Sequence, residues 1–111
     1  MEMNRGDVVI TAAPGDYGKP RPALVVQSDF FNPAHGSVVV CLITSHLVEA
    51  PLFRVPIQPA PGNGLRHDSQ VMADKLVSLP LERIKKKAGR LSDAQMARVD
   101  EALRLWLDLG P

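Results

Sequence analysis

At 111 residues with 45% hydrophobic content and a single cysteine, the chain is sized for one domain with one modest core and cannot form an intramolecular disulfide. Its 13 lysines and arginines nearly balance 12 acids, giving a net charge of +1, which excludes a global field drawing it onto nucleic acid or an anionic membrane; any polyanion site has to be a local patch. No apolar run approaches the roughly 20 residues that span a bilayer, and Met1-Glu2-Met3-Asn4-Arg5 lacks the apolar core of a secretory signal, so a cytoplasmic protein with no membrane partner is expected.

The β-branched run Gly6-Asp7-Val8-Val9-Ile10-Thr11 predicts a first strand of about 5–6 residues. A long glycine-bearing loop, Ala12 to Gly18, follows and hands over at Gly18-Lys19-Pro20-Arg21-Pro22 to the apolar run Ala23 to Gln27, the second strand. Pro20 and Pro22 fix their own φ and push Lys19 and Arg21 into extended, locally stiff backbone, which places a long cation to meet an anion. A solvated strand-entry arginine is the plainer alternative. Ser28 to Gly36 interrupts with Asn32-Pro33 and Gly36, and its Phe30 and Phe31 are expected to cover the core edge. Ser37 to Ile43 is apolar throughout, as a strand buried on both faces would be; Cys41 reads there as a small core residue, and Thr44-Ser45-His46 ends the run with polar side chains.

Leu52 to Ile57 predicts a fourth strand, with Pro56 restricting it to an edge or a strand end. Pro59 to Gly64 is a turn in which Asn63-Gly64 is the favoured two-residue hairpin pair, leading into a fifth strand from Ser69 to Val77. Asp74 lies in its middle and must face water, a partner or a site. Leu79 to Ile84 predicts a single helical turn before Lys85-Lys86-Lys87. Ser92-Asp93-Ala94-Gln95 is a capping box opening a helix whose Met96, Val99, Leu103 and Trp106 share an apolar face, with Gly110-Pro111 as the stop.

The familiar sites are missing: no phosphate-cradling Gly-rich loop with Lys-Ser/Thr, no paired cysteines, no His-x-x-x-His. His35, His46 and His67 fall in three separate loops, so no metal or other cofactor is expected. Polar residues do cluster at strand borders. Arg21 offers a donor fork that matches phosphate oxygens, Thr44 a hydroxyl, and Asp74 a base, which are parts for attack on a phosphodiester. Read without function, Thr44 is a turn cap and Asp74 the partner of Lys75 or Lys19.

Gly6-Asp7-Val8-Val9, then Arg21-Pro22-Ala23-Leu24-Val25-Val26-Gln27 after a Gly-rich loop, then Leu42-Ile43-Thr44-Ser45, resemble in order and spacing the signatures of the MazF/PemK-type toxins of bacterial toxin–antitoxin systems. The resemblance covers most of residues 4–84 and extends loosely to the C-terminal helix. It implies a mainly β fold, a small SH3-like antiparallel barrel of about five strands with a C-terminal helix. It also implies a homodimer that cleaves single-stranded RNA at particular sequences without metal and is neutralised by a cognate antitoxin.

Transferred residue by residue, Arg21 and Thr44 match the family's catalytic Arg and Thr. The Arg-x-Asp triplet of the PemK-like branch falls on Met72-Ala73-Asp74, so Asp74 is retained and Met72 stands where the Arg would be. The implied reaction is attack of a ribose 2′-OH on the adjacent phosphorus, giving a 2′,3′-cyclic phosphate and a 5′-hydroxyl. Arg21 would clamp the charge, Thr44 would position the phosphate, and either Asp74 or His67 would take the 2′ proton. Tyr17, by stacking on a base, with Lys19, Ser45, His46 and Lys75, would contact the RNA. Two other readings use the same fold: a CcdB-like toxin that poisons DNA gyrase without catalysis, and a non-catalytic SH3-like binding module. The Arg21–Thr44 pair favours the nuclease, since neither alternative needs it.

Overall fold

The apolar runs are strands, and the computed structural model, which describes residues 2–12, 19–32 and 36–110, shows how they are joined. The elements are β1 (Asp7–Thr11), β2 (Arg21–Val25), β3 (Ser37–Thr44), β4 (Arg54–Ile57), β5 (Ser69–Pro80), β6 (Ile84–Arg90) and α1 (Asp93–Leu107), with a 3-10 turn over Leu81–Arg83 ahead of β6. The strands form one antiparallel sheet in the order β4-β5-β3-β2-β1-β6. The mainly β fold with a C-terminal helix is the one expected, and Pro56 does sit on an end strand, where its missing N–H costs no inner ladder bond.

The sixth strand was not expected. Ile84-Lys85-Lys86-Lys87-Ala88-Gly89-Arg90 has no apolar alternation because it lies at the sheet's end beside β1 and points lysines outward rather than into a core.

Beyond the ladder pairs, one loop links the sheet's two ends. Residues 58–68 run from β4 toward β6, and the Arg90 N–H donates to the Gly62 carbonyl at 2.7 Å. Backbones approach closely at this junction: a Cβ on Gly89 would lie 2.4 Å from the Gly62 oxygen, and one on Gly64, whose φ is +73°, would lie 2.5 Å from the Ala88 oxygen. Asn63, 3% exposed, ties the loop internally by donating to the Gln58 carbonyl at 2.9 Å and accepting from the Leu65 N–H at 3.0 Å. β4 and β5 do pair as a hairpin, but the turn between them is this long loop rather than a two-residue Asn63-Gly64 connection.

Two apolar clusters lie on opposite faces of the inner strands. Val8, Leu24, Cys41 and Ile43 join Val71, Ala73 and the helix residues Met96, Val99, Ala102 and Leu103 in one cluster. Val9, Ala23, Val25, Val38, Val40, Leu79 and Ile84 form the other. β3 is thus buried on both faces, as its unbroken apolar run implied, and burial pushes the Cys41 thiol up to about 12.

The capping box holds: the Gln95 N–H donates to the Ser92 hydroxyl at 3.1 Å and the Ser92 N–H to the Gln95 side chain at 2.9 Å. The helix stops earlier than Gly110, at Asp108, which takes left-handed backbone with φ 56°. Trp106 belongs to the expected stripe but is 49% exposed and meets Phe53 at 5.1 Å between ring centroids. Phe30 and Phe31 do not cover the core. They stand 84% and 57% exposed, edge to face with each other at 5.0 Å.

Candidate active site

A cleft of about 760 Å³ opens where the N-terminal end of β2, the C-terminal end of β3, the 58–68 loop and β6 converge. Arg21 and Thr44 line it from opposite directions of the chain, because antiparallel β2 and β3 bring the start of one beside the end of the other. Pairing of Thr11 with Arg21 fixes the strand entry, and the Thr11 hydroxyl donates to the Arg21 carbonyl at 3.3 Å. The flanking Pro20 and Pro22 line the same cleft and keep that backbone extended.

Thr44 closes β3 with its hydroxyl accepting from the His46 N–H at 3.0 Å, a short turn that leaves the hydroxyl's own proton available to a substrate oxygen. Behind it Gln70, the ladder partner of Thr44, is 9% exposed. Its amide donates to the Val48 carbonyl at 2.8 Å and accepts from the Val48 N–H at 3.2 Å, pinning the segment after Thr44. Ser45 also lines the cleft.

His67 enters from the 58–68 loop, with Arg66 beside it, while the Ser69 hydroxyl donates to the His67 carbonyl at 2.8 Å and steadies that backbone. β6 supplies the far wall with Lys85, Lys86 and Lys87. Among the described residues five cations and no acid line the cleft. That is the local patch required by a chain whose total charge is only +1.

The other expected residues lie elsewhere. Lys19, His46 and Lys75 are exposed but are not among the residues lining the cleft, and Tyr17 lies outside the described residues. Asp74 is outside it as well. Its carboxylate takes a two-pronged contact from Arg54, at 2.8 and 3.1 Å, with both side chains largely buried. Burial pushes this carboxyl up, but the Arg54 hydrogen bonds and charge outweigh it and hold the group below the usual carboxylate range. An arginine therefore does stand beside Asp74 although Met72 is not one. It comes from the neighbouring strand, where Arg54 is the ladder partner of Met72.

Arg66 and the three β6 lysines were missed as site residues; the run of lysines was visible, but nothing local tied it to Arg21 some sixty positions earlier. Among the described residues no group of three His, Cys, Asp or Glu is placed to hold a metal ion, and no helix is long and apolar enough to cross a membrane.

Comparison with known proteins agrees with this geometry. The family model for the PemK-like, MazF-like toxin of type II toxin–antitoxin systems matches residues 4–107. A probable endoribonuclease MazF of Mycolicibacterium smegmatis is 42% identical over 97% of this chain and 99% of its own length. Among solved structures, the Mycobacterium tuberculosis toxin MazF-mt6 superposes with a TM-score of 0.82 at 25% identity, covering 95% of this chain and 99% of that one. A crystal structure of MazE–MazF from Deinococcus radiodurans gives 0.78 at 26% identity over 96% of each chain.

Proposed function

The chain belongs to the PemK-like, MazF-like toxins of type II toxin–antitoxin systems and is an RNA-cleaving enzyme of that kind; we propose that its reaction is metal-independent cleavage of single-stranded RNA in the cleft framed by Arg21 and Thr44. The observation that carries this reading is the charge of the cleft, five cations and no acid among the described residues of a nearly neutral protein. A phosphodiester chain is the polyanion such a groove accepts.

In the proposed step the 2′ oxygen of a ribose bonds to the adjacent phosphorus while the bond to the 5′ oxygen of the next nucleotide breaks. The products are a 2′,3′-cyclic phosphate and a 5′-hydroxyl, so DNA, lacking the 2′-OH, is not cut. Arg21 stabilises the charge that gathers on the phosphorane oxygens, and Thr44 donates to one of them and fixes the phosphate in line. His67, which shares the cleft, takes the 2′ proton, and the departing 5′ oxygen takes one from water in the open cleft; Asp74, engaged by Arg54, holds the strand instead. The apolar floor of Ile10, Pro22, Ile43 and Leu65 and the polar rim at Ser45 give bases surfaces to pack on, from which a preferred cutting sequence arises.

The same reading places the protein in the cytoplasm as a homodimer, silenced by an antitoxin segment lying across the cleft. Its test is incubation of the purified protein with mixed-sequence RNA in EDTA and analysis of the ends. Fragments ending in cyclic phosphate and 5′-hydroxyl are expected; activity lost to the chelator and restored by one divalent metal would overturn the site as described.

A further inference from the structure

β6 holds an arrangement that strand geometry does not provide by default. In a regular strand, successive side chains point to opposite faces, so Lys86 should point away from the face shared by Lys85 and Lys87. All three nevertheless line the cleft. The pairing with β1 accounts for Lys85 and Lys86: Val8↔Gly89, Val9↔Lys87, Ile10↔Lys86 and Thr11↔Ile84 contain two register shifts, which leave Ala88 and Lys85 as extra residues, while Lys86 and Lys87 keep the regular alternation. Each such bulge bends and twists the strand and re-aims its side chains. The one at Lys85 lets that lysine share the face of Lys86, which pairs with the cleft residue Ile10, whereas Lys87 pairs with Val9 on the other face.

The three amines are not equivalent. Lys87 is shared with the buried Asp7 carboxylate at 3.3 Å, and Asp7 is also held by Arg90 at 3.0 Å, so Lys87 is part of the junction between β1 and β6. Lys85 has, among the described residues, only the Glu82 carbonyl at 3.4 Å. Lys86 is exposed and has no acidic partner among the described residues. Arg66, also exposed, lines the same cleft from the 58–68 loop, and that loop is locked to β6 by the close backbone contacts at Gly64 and Gly89.

We propose that the doubly bulged β6 is the rail for the RNA backbone: Lys86, with Lys85 and Arg66, binds the phosphates flanking the one that Arg21 and Thr44 engage. This rests on the RNA-cleaving function proposed above and adds where the substrate runs. Contacts to phosphate carry no base information, so the rail sets affinity and register along the groove while leaving the cutting sequence unchanged.

The test separates binding from cleavage by titrating a single-stranded 2′-O-methyl RNA, which lacks the attacking hydroxyl, over a series of salt concentrations. Lys86→Gln is expected to weaken binding about tenfold and to reduce the slope of log affinity against log salt by about 0.7, the value for one phosphate contact on a single strand. Lys85→Gln acts in the same direction, and Arg98→Gln, which removes a helix cation outside the cleft, moves neither quantity. On cleavable RNA, Lys86→Gln raises KM with little change in kcat and the same cut positions. If the parent binds and cuts but the lysine variants match it in affinity and salt slope, the rail is wrong and the cleavage reading stands. If the parent binds through these lysines but does not cut, the rail stands and the cleavage reading falls. Absence of any RNA binding overturns both.

Discussion

Arg21 and Thr44 reach the cleft on rigid backbone, and their roles differ in a way that substitution resolves. Arg21→Ala should leave the fold intact yet lower single-turnover cleavage by about 10²-fold or more, the scale for loss of a transition-state donor. Arg21→Lys should recover little, because a point charge does not reproduce the planar fork. Thr44→Val keeps the shape and deletes the hydroxyl, so it should cut kcat with a smaller effect on RNA affinity. Parent rates in both Arg21→Ala and Thr44→Val, with circular dichroism unchanged, would show the chemistry to be elsewhere. The two candidate bases separate by a different measurement. His67→Ala should slow the chemical step about 10²-fold, within the range for a general base, without altering the denaturation midpoint. Asp74→Ala should instead destabilise by about 1–3 kcal/mol, the cost of leaving a hydrogen-bonding group unsatisfied, because it strands the partly buried Arg54 guanidinium. Since Asp74 sits below its ordinary range in the folded protein, its contribution is fully present above the unfolded carboxylate value near 3.9. It is lost as pH falls through that value toward the folded one. Urea midpoints measured through the acid range should therefore drop more for the parent than for Asp74→Asn, and parallel curves would argue against the pairing.

At the scale of elements, the site depends on a junction rather than on any one strand. Gly89→Ala would drive a methyl into the Gly62 carbonyl, which lies only 2.4 Å from where it would stand. The β6 wall and the 58–68 loop must then separate, at a cost of about 1–3 kcal/mol. Chemical denaturation should show the loss, and kcat/KM should fall with it because Arg66 and His67 ride on that loop; a variant with parental stability and activity would mean the contact is slack. The same junction marks the limit of what the sequence discloses. β1, β2, β3 and the capped helix were legible because their side chains are sorted by burial, with Val8, Leu24, Val38 and Val99 all 0–1% exposed. β6 was not, because a strand at the sheet's end with two bulges and outward lysines has neither alternation nor apolar content. The shared place of Arg21 and Thr44 in the cleft, the proposed catalytic pair, was suggested by the motif, with Pro22 next to Arg21 and Ile43 before Thr44. Arg54 as the partner of Asp74 was hidden, being a cross-strand contact between residues 20 apart, and Lys75 next door was the nearer guess. Phe30 and Phe31 misled because hydrophobicity alone predicts burial, and here both rings are exposed on a loop.

For the molecule as a whole, the proposed antitoxin must compete with RNA for one groove. Adding a partner segment that is acidic and apolar should release bound RNA, and simultaneous binding of both without loss of affinity would remove occlusion as the means of control. The proposed homodimer has apolar surface to draw on at the end of α1, where Leu105, Leu107 and Leu109 are exposed; light scattering at micromolar concentration should give twice the chain mass. The order in which the cleft is assembled has a further consequence for synthesis. Arg21 and Thr44 leave the ribosome early, but their facing wall is Lys85 to Ala88, and β6 (Ile84–Arg90) pairs all the way back with β1 (Asp7–Thr11). At about 5–20 residues per second, the nascent polypeptide spends roughly 4–17 s without that wall. A growing chain is therefore an unfinished enzyme until β6 has been made, and the message that encodes the toxin is read past that strand before the product can cut it.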